Sequence, residues 1–519
     1  MKWRYAILGG TAVAGAATAV HDLVQTKHAI LRNFPIVGHG RFLAEKFGPE
    51  LRQYIVTSND EERPFSRDQR RWVYASSKLE NSYFGFGTDN DVEQVSGYPI
   101  IKHRTFTGPG AATMPHAQEE IVLPSAKVLG LARGRTHAFR PSSVVNISGM
   151  SFGSLSGKAV EALNKGAALA GCLQNTGEGA LSPHHRHGGD IVFQIGTSYF
   201  GCRDEHGRFD LGRLVDLVQS APVKAIEIKL SQGAKPGLGG MLPGEKVSRE
   251  IAEIRGIPEG KDCASPSRHE VFDDIDSMLD FVETVAQATG LPVGIKSAVG
   301  NLTMWDELTQ EMSNGGRGVD FVNIDGGEGG TGAAPMIFAD SVAYPFRIAF
   351  AEVYKRFAAA GLTDDVVFIG AGKLGIPENA VVAFALGVDM VHVGREAMMS
   401  IGCIQAQKCH TDHCPVGVAT QNPRYTRGLD VTLKSVRAAN YIRSLRRDLL
   451  KVSEAVGVVH PGLIGPGDVD LIDGTRSAVG LARTYGYDES WPRLGAHLVK
   501  EIEAIMVAQD ATHADERPA

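Results

Sequence analysis

From about residue 143 onward the chain repeats one pattern. A short apolar or β-branched run ends in Gly or Asn, and a stretch with helical spacing of apolar positions usually follows. Eight such runs predict strands: 144–148, 172–176, 191–195, 224–229, 293–297, 319–325, 366–370 and 389–394. Helices are predicted between them over 156–170, 210–220, 273–289, 303–314, 339–360 and 376–386. Strict alternation over eight units predicts an α/β fold, a (β/α)8 TIM barrel rather than an open doubly wound sheet. The long stretch 230–272 then reads as an insertion after the fourth strand, on the face where loops build sites.

Outside that repeat the pattern changes. Residues 26–142 form a leader with a helical stretch around 38–54 and a turn-rich stretch at 83–91, expected to pack on the barrel (143–432). Residues 433–519 form a helical tail. At the start, Lys2 and Arg4 precede about sixteen weakly apolar residues, 5–20, at the short limit of a spanning helix at ~1.5 Å per residue. The leading expectation for 1–25 is a membrane anchor that leaves the body at the cytoplasmic face. A cleaved signal peptide and a helix buried against the body are the alternatives.

Composition narrows the class. The chain has 519 residues, 43% hydrophobic and 22% charged, which is ordinary for a globular protein. A net charge of −6 without a basic run argues against nucleic acid. Six cysteines, three of them clustered, do not make a disulfide framework and fit a reducing interior.

In a (β/α)8 barrel the loops after the strands carry the chemistry, and loops 7 and 8 commonly hold a phosphate. Here strands six, seven and eight run into IDGGEGGTGAAP (324–335), IGAGKLG (369–375) and HVGREAM (392–398). Glycines there let backbone N–H groups approach phosphate oxygens, and Arg395 adds a fixed charge. One such loop is an ordinary turn; three in register favour a phosphate-bearing ligand. Lys229 and Lys296 end adjacent apolar strands and would bring positive charge into the mouth, where a flavin's pyrimidine edge becomes anionic on reduction. The histidines of HHRHGG (184–189) read as a polar loop before they read as a metal site.

The cysteines Cys403, Cys409 and Cys414 are spaced C-x5-C-x4-C, and Pro415 follows the last. Thiolates are soft ligands for an iron–sulfur cluster or zinc. Zinc would take a fourth ligand, and His410 or His413 would supply it. The triad's place directly after the eighth strand, beside an inferred flavin, favours iron–sulfur.

Five motifs in order, SGMSFGSLS, QNTGEGA, IKLSQGAKPGLGGMLPGEKV, DGGEGGTGAAP and GCIQAQKCHTDHCPVGVATQ, resemble the FMN-binding synthase domain of glutamate synthases. The resemblance covers roughly 90–430, and the whole chain resembles the shorter standalone FMN-binding members of that family. It implies FMN in the barrel mouth and a 3Fe–4S cluster on Cys403, Cys409 and Cys414. It places Met150, Ser151 and Asn175 near the flavin ring, with Lys229 and Gln232 near its pyrimidine edge or the substrate. It puts Gly330, Gly332, Gly372, Gly394 and Arg395 at the phosphate end. Glu178 and Lys296 match positions near the 2-oxoglutarate carboxylates. Two departures stand out. No amidotransferase domain precedes the barrel, so no glutaminase activity of its own is expected. The residues after Lys296, SAVGN, differ from the more acidic stretch of the large enzymes.

The function expected is an oxidoreductase acting on CH–NH2 donors, of the glutamate synthase type. It reduces an imine formed from a 2-oxo acid and ammonia or an amine. Electrons come from a ferredoxin or reductase subunit through the cluster, and ammonia comes from a partner. The alternatives are an FMN-dependent amine or 2-hydroxy acid dehydrogenase that feeds a membrane acceptor, and a non-catalytic redox or zinc-binding partner subunit.

Overall fold

The computed structural model describes residues 2–80, 83, 85, 87–88, 90–106, 122–488, 490–491 and 493–515, with side chains described from 13 to 509. The turn-rich stretch 83–91 falls partly outside the described residues. The chain separates into two compact units, Met1–Gln69 and Arg70–Ala519.

In the first unit, helix Lys2–Val24 is followed by the helical turn Ala29–Asn33, helix His39–Leu51 and a π-helical turn, Arg52–Val56. The buried Asp22 carboxylate ties them together, accepting from the Ile36 N–H at 2.9 Å and meeting His39 Nε2 at 2.9 Å. Among the described residues, no helix is long and apolar enough to cross a membrane. That corrects the anchor expected at residues 5–20. The physical reason is composition: three glycines and six alanines dilute the helix Lys2–Val24, and these residues gain little by transfer into lipid.

In the second unit, eight parallel strands close into a barrel in chain order. They are β1 (Val145–Ile147), β2 (Gln174–Asn175), β3 (Ile191–Ile195), β4 (Val223–Lys229), β5 (Val293–Ser297), β6 (Phe321–Asp325), β7 (Val367–Ala371) and β8 (Met390–Val393). All eight expected runs are strands, and Val391 of β8 pairs with Val145 of β1 to complete the ring. The runs read as strands because parallel barrel strands are covered on both faces and so stay apolar throughout. Local signals set the helices. Helix Gly157–Ala170 opens where Ser156 accepts from the Ala159 N–H, and it stops at Gly171 in the left-handed region (φ 60°). Helix Ile275–Thr289 has Asp274 and Gly290 in the same roles.

The lower core packs Leu129, Leu173, Val192, Ala225, Phe321, Val367, Ile369 and Met390. Beside it, buried Lys127 donates to Asp389 Oδ2 (2.8 Å) and to the carbonyls of Thr363 (2.6 Å) and Val366 (3.0 Å). Asp389 precedes β8, so this pair belongs to the N-terminal end of the barrel, where burial serves stability.

Between β2 and β3 there is only a 3-10 turn, Pro183–His185. The long helix Val431–Val456 packs on Gly157–Ala170, so closely that a Cβ on Gly166 would lie 2.6 Å from Ala438 Cβ. The tail is not helical throughout. Its strands Val469–Ile472 and Ala478–Gly480 join the leader strand Pro99–Ile101 in an antiparallel sheet. The insertion after β4 carries a small hairpin, Met241–Leu242 against Cys263–Ala264, and helix Arg249–Arg255.

Candidate functional site

The C-terminal ends of the strands bring two lysine–carboxylate pairs to the rim. Lys229, the last residue of β4, donates from Nζ to Glu178 Oε1 (2.7 Å) and to Gln232 Oε1 (2.6 Å). Burial raises the Glu178 carboxyl, but the Lys229 ammonium and its hydrogen bond, with Lys235 and Arg255 behind it, leave it below the ordinary carboxylate value. Lys296 on β5 stands 3.6 Å from Asp325 Oδ2 on β6, and the same oxygen accepts from the Gly233 N–H at 3.0 Å. Loops two, four and six and strand β5 are thus tied together by charge. Of the predicted residues, Lys229 touches both Glu178 and Gln232; Lys296 sits on the neighbouring strand with its own carboxylate.

Sequence reading missed Lys235. It is buried beside Glu178, donates to the Gly239 carbonyl at 2.7 Å, and burial lowers its pKa. It also missed His269, which hydrogen-bonds the Lys229 carbonyl through Nε2 (2.9 Å) and stacks on Phe272. The signal for Lys235 was present: a lysine within QGAKPGLGG, a glycine-rich loop at the mouth.

Below the rim lies a layer of polar side chains, Asn175, Gln194, Glu227, Asn323 and His392, each at most 4% exposed. Burial holds the His392 imidazole down to about 4, against a smaller opposing pull from Glu227, so the ring is neutral near pH 7. Asn323 Oδ1 and His392 Nε2 are buried with no protein hydrogen-bond partner among the described residues. Such unpaired buried atoms are the exception in a native interior, and both lie in this one layer beneath the rim.

The glycine loops meet around Arg395. A Cβ on Gly330 would lie 2.6 Å from Arg395 Cδ, so a larger residue there would push aside the guanidinium, whose Nη2 donates to the Glu328 carbonyl. Gly372 follows β7 at φ 116°, a conformation open to glycine, and lines a cavity of about 350 Å³ with Arg347, Lys373, Asn379 and Tyr485. Gly394 ends β8 and precedes the short helix Arg395–Ser400. On the opposite side, a Cβ on Gly177 would lie 2.6 Å from the Ser151 N, so loop two packs directly on Met150 and Ser151. Backbone exposed by glycine, Arg395 and a neighbouring cavity lined by Arg347 and Lys373 make a cradle that fits the phosphate end of FMN.

The three clustered cysteines are free thiols, as are the other three. Burial pushes the Cys403 thiol up to about 12, with further contributions from Cys409 and Cys414 as near neighbours. Cys409 is raised by burial and by Cys414, partly offset by Lys246. The Cys403 carbonyl accepts from Tyr74 OH at 2.8 Å. Lys246, from the insertion, donates from Nζ to the carbonyls of Cys409 (3.0 Å) and Ser154 (3.0 Å). A Cβ on Gly332 would lie 3.4 Å from Cys409 Cβ, so the thiol segment abuts the loop after β6.

Among the described residues, no group of three or more His, Cys, Asp or Glu side chains is arranged to hold a metal ion. His410 and His413 are exposed, and His413 turns its Nδ1 to the Thr411 carbonyl. Three unbridged soft donors within electrostatic range of one another still suit an iron–sulfur cluster in chemical type. The histidines after β2 hold the loop itself: His185 Nδ1 meets Ser182 Oγ at 2.9 Å and His184 Nε2 meets Glu250 Oε1 at 3.0 Å.

A family model described as the conserved region in glutamate synthase matches residues 117–459. The glutamate synthase large subunit-like protein YerD of Bacillus subtilis is 37% identical over 474 residues, covering 85% of this chain and 89% of that protein. An archaeal glutamate synthase [NADPH] of Methanocaldococcus jannaschii is 34% identical over 363 residues, covering 68% and 67%. A solved flavocytochrome b2 with sulfite bound is a distant likeness, 14% identical with a TM-score of 0.43 over 92% of this chain and 96% of that one.

Proposed function

Because the chain belongs to the glutamate synthase family, we propose that it is an oxidoreductase of the glutamate synthase type that reduces the imine of a 2-oxo acid to an amino acid. One observation carries this reading: the Lys229–Glu178–Gln232 cluster and the Lys296–Asp325 pair share one barrel mouth whose β6 loop touches the thiol segment at Cys409. When bound, FMN would supply hydride chemistry and a 3Fe–4S cluster on Cys403, Cys409 and Cys414 would supply single-electron transfer.

The chain's own residues divide the work. Met150, Ser151 and Asn175 bound the ring on the β1 and β2 side. Gly330, Gly332, Gly372, Gly394 and Arg395 receive the phosphate end. Lys229, oriented by Glu178 and Gln232, brings a fixed positive charge to the ring edge or substrate, which favours negative charge developing there. Lys296, paired with Asp325, holds a carboxylate of the 2-oxo acid, and Glu178, paired with Lys229 on the neighbouring strand, sets the polarity of that pocket. Lys246 anchors the thiol segment to the body. The nitrogen arrives as ammonia or an amine. The electron donor is a protein partner or a reductase that draws on NADPH, the cofactor in the name of the archaeal relative.

The test is anaerobic. Protein carrying reduced flavin is mixed with 2-oxoglutarate and ammonia, and the flavin spectrum and glutamate are followed together. Reoxidation with stoichiometric glutamate, absent when either reactant is omitted, is expected. A reduced spectrum left unchanged by the pair contradicts the reading.

A further inference from the structure

Exposed apolar side chains are ordinary when scattered and informative when gathered. Of the thirty-three large hydrophobic side chains exposed among the described residues, thirteen fall between Val13 and Val56, in less than a tenth of the chain. Helix His39–Leu51 carries the middle of this patch and has no buried residue. Leu43, Phe47 and Leu51 recur at every fourth position, so they share one face, and each is at least 52% exposed. Ile55 and Val56, in the π-helical turn that follows, are exposed too. The helix is held by its other side: His39 Nε2 meets the Asp22 carboxylate at 2.9 Å, and the Phe42 ring meets His28 with centroids 5.1 Å apart.

Charge identifies what covers the face. Residues 1–56 carry seven Lys and Arg against three carboxylates, a net +4 in a chain of −6, so the remainder carries −10. At 3.6 residues per turn, Lys46 lies on one side of the apolar stripe and Arg41 and Arg52 on the other, and all three are exposed. The carboxylates are occupied or withdrawn: Asp22 is buried against His39, Glu45 pairs with Arg41 at 2.9 Å, and Glu50 is half-buried. Long cationic side chains lay their stems along an apolar stripe and carry their charge past it. Such a face complements a surface that is apolar inside and anionic outside, which is a bilayer containing anionic lipid. A second copy docked on the same face would set like charge against like.

We propose that this face of the first unit docks on an anionic membrane surface, with helix His39–Leu51 lying in the plane of the interface and Leu43, Phe47 and Leu51 at the acyl boundary. The helix lies on the bilayer and does not cross it, a different contact from the span first expected at 5–20. The surface is independent of the barrel's chemistry and gives the protein a place to work.

The experiment floats the full chain with vesicles of phosphatidylcholine alone or mixed equally with phosphatidylglycerol, with thermal melting as the folding control. Wild type should float with the mixed vesicles and much less with the neutral ones, and high salt should weaken that binding. Phe47→Ser with Leu51→Ser should bind the mixed vesicles at least about tenfold more weakly, since affinity follows buried apolar area. Lys46→Gln with Arg52→Gln should lose about tenfold on mixed vesicles and nothing on neutral ones. Both pairs replace exposed side chains and should melt as wild type does; if the serine pair melts early, the glutamine pair decides. Wild type that floats with neither vesicle, or equally with both, overturns the inference, as does undiminished binding by the glutamine pair. A dimer in solution that the serine pair dissociates also overturns it, because a second copy then covers the face. Each of these results leaves the proposed function standing.

Discussion

Lys246 Nζ donates at 3.0 Å to the carbonyl of Cys409, and with a second N–H at 3.0 Å to that of Ser154 in the loop after β1. One buried ammonium thus pins the thiol segment to the barrel mouth. Replacing Lys246 by Met leaves two carbonyls unmet at a cost of about 1–3 kcal/mol and frees the segment. Lys246→Met should lose iron on gel filtration while its circular dichroism stays that of wild type. Full iron retention would show that the contact is incidental.

Gly330 and Gly332 make a paired test of the phosphate end. A Cβ at 330 meets Arg395 Cδ at 2.6 Å, whereas one at 332 meets Cys409 Cβ at an ordinary 3.4 Å. Gly330→Ala must displace a charged donor, so FMN should bind about tenfold to a hundredfold more weakly. Gly332→Ala, whose Cβ turns to Cys409 and leaves the backbone N–H in place, should weaken FMN less than Gly330→Ala does. Titration of apoprotein with FMN reads both, and equal affinities for the two variants would contradict the assignment.

Lys229 and Glu178 compensate each other. Replacing Lys229 by Met strands a half-buried carboxylate and should cost about 3 kcal/mol of unfolding free energy. Adding Glu178→Gln should recover most of it. Denaturant titration of the two single variants and the double variant gives the coupling, and strictly additive losses would argue that the pair is not coupled.

Acid should weaken the fold in a defined window. Burial holds His185 at about 3 and His392 and His460 at about 4, below the 6.5 of a free imidazole. The unfolded chain gains these protons below pH 6.5 and the folded chain only near 4. Each histidine therefore contributes stability that is whole above pH 6.5 and is lost as the pH falls towards 4. The loss is roughly 3 kcal/mol per histidine at the acid end. Denaturation midpoints at pH 7, 5.5 and 4.5 should fall in order; a flat profile would mean these rings are not buried.

The barrel was legible because its strands are apolar on both faces and end in glycine, so that each announced itself locally. The antiparallel sheet was not legible, since Pro99–Ile101 pairs with Val469–Ile472 across most of the chain and neither strand has a pattern long enough to read. At the mouth, Lys229 was legible as a lysine that ends an apolar strand, and Glu178 and Gln232 were named from their place in the family motifs; the structure brings both into contact with Lys229. Glu227, Asn323 and His392 lie inside apolar runs (KAIEIK, VDFVNID, DMVHVG) and were passed over as parts of strands. A polar residue at an inward-facing position of a buried strand was the signal, because burial there demands partners. The N-terminal helix misled in the other direction: length and two leading cations suggested a span that alanine and glycine do not support.

On the proposed function, one folded unit would hold a flavin and an iron–sulfur cluster side by side. The most direct measurement is flavin, iron, sulfide and zinc analysis of protein purified without oxygen, together with its visible spectrum. One FMN and one 3Fe–4S cluster per chain, with iron lost and flavin kept in Cys409→Ser, is the predicted result. A colourless protein carrying zinc, or flavin-bearing protein with no iron, would contradict it.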